Sequence, residues 1–485
     1  MQTSLAQRVR SSVLWNSSSV LVSHLIWLAR SIVVARLLTP NDFGIWGMAL
    51  TVLAAVTALT NVGLETSVIL KKFSSEEEQG RYLDTVWTTG LFRTLLLTLA
   101  LLLSAYPVAH FYGTNALYGV LLTLSFLPLV QGFQNIGLIL LRKEVSFRRN
   151  SWFEQANNLS STAIIVILAL WLRDVRALVW GQLLGAAAGV LLSYVFHSYR
   201  PRLRFDKKAF SEAFHFGKYM FVIGLMTYLT TTADNIVVGR YLGAAALGAY
   251  VVAYNFANFP VNIISGTLND VSLPAYAELR ARNPEQLEEA FARVFTIGAA
   301  LLTVISVTVM LLASEIVQLL YGSKWAAAAP VLRVLALLGF FRGYLQIVSP
   351  LIISLKGLAP ETLPKVIETT IFLSILLPLT LKYGVVGAAW AGVIVYFITI
   401  VIRFRLASAL APKTIRKCLQ VFLLTVMSGI TGAGAGALVM TMTSEPLARF
   451  LAGGFASVIV TVGIMLWAIP NLGRLALNIL HPRTT

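Results

Sequence analysis

The sequence predicts an all-α polytopic membrane protein of about 14 transmembrane helices: two parallel six-helix bundles, then two C-terminal helices. Three observations predict this. First, the 485 residues are 57% hydrophobic and only 12% charged, with mean hydropathy +0.77; a soluble domain carries about a quarter charged residues. Second, apolar runs of about 20 residues recur from end to end, each long enough to cross roughly 30 Å of hydrocarbon. Third, one phrase occurs twice, as "ARSIVVARLLTPNDFGIW" (Ala29–Trp46) and as "ADNIVVGRYLGAAALGAY" (Ala233–Tyr250). Lipid offers backbone groups no partners, so such runs are helices. The short alternating segments of a β-barrel are not seen.

The spans are centred near residues 25, 55, 96, 125, 162, 187, 227, 257, 302, 338, 373, 395, 430 and 458. An even number puts both termini on one side. Loops on that side include Lys71–Lys72, Leu141–Asn150, Arg200–Lys208 and Arg403–Lys417. With the termini they hold about 26 basic residues against about 7 on the other side, which places both termini in the cytoplasm. The net charge of +17 is therefore mostly a topology signal, with attraction to anionic head groups second. It does not point to nucleic acid. No cleavable signal peptide is read at the start; the first span directs insertion. Cys418 is the single cysteine, which excludes an internal disulfide. The histidines (24, 110, 197, 215 and 481) lack metal-ligand spacing. No Walker motif or soluble domain is present, so ATP hydrolysis, a catalytic site and a cofactor are not expected.

The repeated phrase has an offset of 204 residues, from Arg30 to Asp234. Tyr112-Gly113 matches Tyr321-Gly322 at 209, and Trp180 matches Trp390 at 210. The drift fits a longer loop expected at Ala277–Arg293. Each match pairs span n with span n+6, so the halves enter the membrane in the same direction, a known transporter plan. The expected division is an N-terminal six-helix lobe at 10–200, a cytoplasmic linker at 201–213, a C-terminal six-helix lobe at 214–408, and two additional helices with a tail at 409–485. Gly44 and Gly248 open spans two and eight. The run "GAGAGA" (Gly432–Ala437) is expected to serve close helix packing.

"RLLTPNDFGIWGMAL", "TADNIVVGRYLGAAALGAYVVAYNFANFP" and "LLYGSKWAAAAPVLRVLALLGFFRG" resemble polysaccharide-transport flippases of the WzxC type, within the MATE/MurJ/Wzx superfamily. The resemblance covers most of residues 10–410. It implies two six-helix bundles in a V shape around a central cavity. It implies a substrate, an undecaprenyl-diphosphate-linked oligosaccharide repeat unit, carried from the cytoplasmic to the periplasmic leaflet of the cell inner membrane by alternating access. The product would be an exopolysaccharide, capsule or O-antigen-type glycan, and the partners membrane lipids and polysaccharide polymerase and export machinery. Two readings stay open within the superfamily, a multidrug or cation antiporter and a lipid II flippase. A membrane glycosyltransferase is disfavoured, because the outer loops are short.

Charges inside spans carry the site expectations, since each costs about 2.5–3.5 kcal/mol at the bilayer centre. Arg342, midway along span ten, is either an ion-pair or packing residue or a cavity cation for the diphosphate, whose oxygens suit its planar fork. Arg93 on span three is its counterpart in span count, and Arg30 is a third cavity cation. Arg30 and Asp234, at equivalent places on spans one and seven, would form an outer gate across the pseudo-axis or pair within their own halves. Asp234 is also a candidate protonation or cation-coupling site. Arg333, Glu154, Lys218 and Glu65 lie nearer the ends, where Lys218 and Glu154 can snorkel. Asn16, Thr231, Asn235, Asn255 and Asn258 are the expected polar lining for sugar hydroxyls; their other role is interhelical bonding. Pro128, Pro260, Pro274, Pro350 and Pro378 are candidate kinks.

Overall fold

The structure is a computed structural model and describes residues 5–60, 64–143, 147–282, 284–357, 359–469 and 472. Those residues are helical nearly throughout, and packing divides the chain into residues 1–248 and 249–485. The first unit holds α1 (Leu5–Leu37), α2 (Pro40–Thr60), α3 (Leu64–Leu70), α4 (Glu76–Tyr112), α5 (Asn115–Leu124), α6 (Phe126–Gly132), α7 (Leu138–Lys143), α8 (Phe147–Leu172), α9 (Val175–Phe196) and α10 (Lys207–Leu242). Next comes α11 (Ala244–Arg282), whose first turn falls in this unit. The second unit continues with α12 (Pro284–Leu311), α13 (Ala313–Ile316), a π turn and a 3-10 turn, α14 (Ala328–Lys356), α15 (Ala359–Leu410), α16 (Pro412–Thr441) and α17 (Pro446–Ala468). Among the described residues, ten helices are long and apolar enough to cross a membrane. The long helices, with α5–α6 as one and α15 as two arms, fall at the centres expected from the sequence.

In the first unit, Ser75 caps α4, its hydroxyl accepting from the Glu78 amide at 3.2 Å. The helix ends at Gly113, whose φ of 65° is left-handed. α5 and α6 part at Ser125, three residues before Pro128, where the ring obstructs the preceding turn. Three glycines of α9, Gly181, Gly185 and Gly189, sit against Ile165, Ser161 and Asn157, so small residues let α8 and α9 approach closely. The 199–206 segment is stitched to α4. Asp84 accepts from the Tyr199 hydroxyl at 2.6 Å and the Arg202 amide at 2.9 Å.

The repeated phrase has a geometric role in this unit. A Cβ on Gly44 would lie 1.7 Å from the Ala244 carbonyl oxygen, and one on Gly248 would lie 1.8 Å from that of Pro40. Pro40 and Ala244 hold the same place in the two copies, as do Gly44 and Gly248. The contact is therefore reciprocal, and only a hydrogen side chain fits on either side.

In the second unit, α14 rests on an aromatic core. Tyr344 is fully enclosed, with Phe340 at 4.8 Å, Phe422 at 5.0 Å and Phe295 at 5.5 Å between ring centroids. Its hydroxyl lies 3.0 Å from Thr425 Oγ1 of α16. α15 bends at Gly384, with φ 63° and ψ −146°. The first copy turns at the corresponding place through Arg173, φ 53°. α16 and α17 pack through the small residues expected: Gly432 meets Thr461 and Ser457, and Gly436 meets Gly453, while Gly434 faces open space.

Three expectations need correction. Ala277–Arg293 is not a loop: α11 runs to Arg282 and α12 starts at Pro284. The segment is rich in Ala, Leu, Glu and Arg, which propagate a helix beyond the apolar window. Arg403–Lys417 is likewise helix to Leu410 and again from Pro412. Finally, α10 opens the second copy of the repeat yet groups with the first unit, because it packs on α2, α3 and α4.

Candidate functional site

The second unit places Arg342 where spacing predicted, in the middle of α14. One turn earlier, Gly339 brings α14 close to α11. A Cβ there would stand 3.0 Å from Val261 Cγ2 and 3.3 Å from the Ala257 carbonyl. That approach puts the Arg342 guanidinium against the Tyr254, Ala257, Asn258 and Val261 stripe of α11. Nη1 donates to the Tyr254 hydroxyl at 3.1 Å and to Asn258 Oδ1 at 3.0 Å. The Asn258 amide nitrogen donates back to the Tyr254 carbonyl at 2.9 Å, which fixes the amide's orientation. The fork is thus aimed by a helix anchored on its other face by the Phe340–Tyr344 aromatic core. Asn258, an expected lining residue, is 4% exposed and functions as a partner of Arg342. Asn255 of the same helix is half-buried.

A second polar cluster escaped the sequence reading. Arg403, on the second arm of α15, donates Nε–H to Glu361 Oε2 at 2.7 Å and lies 3.9 Å from Glu368 Oε2. Lys365 donates to Glu368 Oε1 at 2.6 Å. Arg403 had been counted with a basic loop, and nothing in the spacing linked it to carboxylates about forty residues earlier. Two acids and two bases compensate one another, as buried charges require.

In the first unit, Asp234 is 4% exposed on α10, and its Oδ1 accepts from the Asn235 amide at 2.9 Å. Asn235 is half-buried. Thr231 returns its hydroxyl to the Thr227 carbonyl at 2.8 Å, the helix back-bonding that threonines favour. Arg30 is partly buried on α1. The Arg30–Asp234 pairing is not among the ion pairs seen within the described residues. Arg93 donates Nε–H to Thr60 Oγ1 at 3.2 Å. It is not the repeat counterpart of Arg342: α4 corresponds to α12, six spans on, whereas Arg342 is on α14. Arg333 donates to Ser314 Oγ at 2.8 Å, and Glu154 accepts from Asn150 at 2.9 Å. The side chains of Asn16, Glu65 and Lys218 lie outside the described residues. The spacing also missed Ser23, which accepts from Gln155 at 2.7 Å and Asn158 at 3.0 Å and ties α1 to α8. Among the described residues no group of His, Cys, Asp and Glu could hold a metal ion.

The family model described as "Polysaccharide biosynthesis protein" matches residues 33–347, a segment that includes Asp234, Asn258 and Arg342. The chain belongs to that family. Similar family proteins include the lipopolysaccharide biosynthesis protein WzxC of Escherichia coli (strain K12), 24% identical over 341 residues, 70% of this chain and 68% of that protein. The teichuronic acid biosynthesis protein TuaB of Bacillus subtilis (strain 168) is 24% identical over 341 residues, 70% of each chain. Among solved structures, the lipid II flippase MurJ in an inward closed conformation superposes with a TM-score of 0.73 at 16% identity, covering 95% of this chain and 100% of that one. That likeness is one of fold. This member of the polysaccharide biosynthesis family is thus helical nearly throughout its described residues, with ten helices there long and apolar enough to cross a membrane and a fold like that of MurJ.

Proposed function

We propose that this protein is a flippase that carries undecaprenyl-diphosphate-linked oligosaccharide units from the cytoplasmic to the periplasmic leaflet of the inner membrane, acting as a carrier rather than an enzyme. Polymerase and export machinery then build the glycan. The observation that carries the reading is Arg342, an always-ionised fork held mid-helix by Tyr254 and Asn258. Its two hydrogen-bond partners are neutral, and Glu368, the carboxylate that acts on it through space, is already paired with Lys365. A diphosphate supplies two neighbouring anionic groups, and a guanidinium meets such oxygens with parallel hydrogen bonds stronger than neutral ones. Arg93 and Arg30 add cations on α4 and α1. Asn235, Asn255 and Thr231 offer donors and acceptors to sugar hydroxyls. Asp234 is the gate or ion-coupling residue, since a buried carboxylate exchanges a proton or a cationic partner at a free-energy cost that transport can use. Membership of a polysaccharide biosynthesis family favours this cargo over a drug or lipid II.

Arg342→Ala, made at normal abundance in the membrane, should abolish most glycan export. Export at the parental rate would leave Arg342 a packing residue and remove it from the substrate path.

A further inference from the structure

A cleft of about 510 Å³ opens where the first turns of α8 meet the last turn of α9, lined by Arg148, Arg149, Trp152, Val195 and Phe196. Its composition is divided. Two guanidinium-bearing residues stand at the end of α8, where the apolar run gives way to the basic Leu141–Asn150 segment. Trp152, 55% exposed, lies one turn further into α8, and Val195, 76% exposed, stands in the last turn of α9. Phe196 also lines the cleft and packs edge-to-face on Phe153 at 5.7 Å. Arg148 and Trp152 are four residues apart and share a face, with Arg149 beside them. The Lys/Arg bias puts this end of α8 at the cytoplasmic leaflet, where tryptophan rings also favour the head-group level.

We propose that this cleft is a binding site for an anionic glycerophospholipid of the cytoplasmic leaflet, its phosphate held by Arg148 and Arg149 and its glycerol and upper acyl chain laid along Trp152, Val195 and Phe196. A soluble anion would use the cations alone and leave the exposed Trp152 and Val195 without purpose. A zwitterionic lipid would use the apolar wall but gain little from two arginines. Only a lipid with net negative charge at the head group uses both halves. Basic pockets between transmembrane helices on the cytoplasmic side take such head groups. The cleft lies wholly on α8 and α9 and involves none of the residues assigned to the oligosaccharide, so the site stands independently of the transport reading.

The test uses the full-length protein in phosphatidylcholine nanodiscs, with brominated phosphatidylglycerol or brominated phosphatidylcholine titrated in as a quencher. The Trp152 signal is the difference between the parent and Trp152→Phe. Phosphatidylglycerol should quench it at a mole fraction at least several-fold lower than phosphatidylcholine does, as two arginines near a charged surface should favour the lipid by roughly tenfold or more. Arg148→Gln combined with Arg149→Gln should erase that preference, whereas Arg202→Gln with Arg204→Gln should keep it. Equal quenching by the two lipids, or a preference that survives the Arg148/Arg149 change, would overturn the site. Displacement of phosphatidylglycerol by inorganic phosphate in modest excess would overturn the lipid as its occupant.

Discussion

Arg342 and Gly44 show what single residues do here. The Arg342 fork is oriented by two neutral partners, so its charge and its geometry can be separated by substitution. Arg342→Lys keeps the charge but loses the planar fork and its paired hydrogen bonds. It should export glycan at a rate between the parent and Arg342→Ala, when all three are compared at equal membrane abundance. A lysine variant as inactive as alanine would show that fork geometry, and not charge, sets the rate. Gly44 has a steric role. Its missing Cβ leaves room for the Ala244 carbonyl, so Gly44→Ala should lower stability by roughly 1–3 kcal/mol, read as thermal unfolding in detergent. Gly434, in the middle of α16, faces open space, and Gly434→Ala should be neutral or stabilise by up to about 1 kcal/mol. Equal effects at the two positions would contradict the reciprocal contact. The depth of Arg342 was legible from the sequence, because distance along a helix from its ends is a count of residues. Its partners were not, since which stripe of α11 faces α14 depends on the small residue at Gly339. The Arg403 cluster was hidden for a related reason: a cation in an apparently basic loop looks solvated until a helix carries it inward.

At the scale of elements, long apolar runs were readable and their ends were not. The hydropathy window locates the part of a helix that lipid surrounds. It is blind to helix that continues into water, which is why α11, α12 and α15 overran their expected loops. The short α3 and α7, too brief to span, left no signal at all. The turns are more sharply specified. Gly384 adopts φ 63° and ψ −146°, a conformation closed to residues with a Cβ. Gly384→Ala should therefore cost roughly 1–3 kcal/mol and straighten or unfold the α15 bend. Unchanged thermal stability would mean that the bend tolerates a side chain. α10 starts from Asp206, whose carboxylate accepts from the Lys208 amide at 2.8 Å and the Ala209 amide at 3.2 Å. Those two amides, the Ala209 bond foremost, hold its pKa below the ordinary aspartate value. A depressed folded pKa stabilises above the unfolded pKa and is lost as pH falls through the folded one. Asp206→Ala should thus be less stable than the parent at pH 7, and the gap should close in acid below the usual aspartate range of about 4. A gap that stays constant into acid would remove the cap from the account.

At the scale of the whole molecule, the repeat was the most informative feature of the sequence. Two of its three anchors carry matching features, the reciprocal Gly44 and Gly248 contact and the positive-φ glycines Gly113 and Gly322; a few residues before the third, Trp180 and Trp390, the chain has positive φ at Arg173 and at Gly384. The cargo was legible only through family resemblance, because no spacing of residues encodes a sugar. Orientation rests on the Lys/Arg bias. A reporter active only in the periplasm should be silent when fused after Thr485, and activity there would reverse the direction of transport. The central claim is tested most directly by reconstitution. The purified protein is placed in sealed vesicles containing a fluorescent undecaprenyl-diphosphate-linked oligosaccharide, and a membrane-impermeant reductant is added outside. The account predicts that the inner-leaflet pool becomes bleachable when the parent protein is present, and markedly more slowly with Arg342→Ala. An inner-leaflet pool that stays protected, as in vesicles without protein, would contradict it.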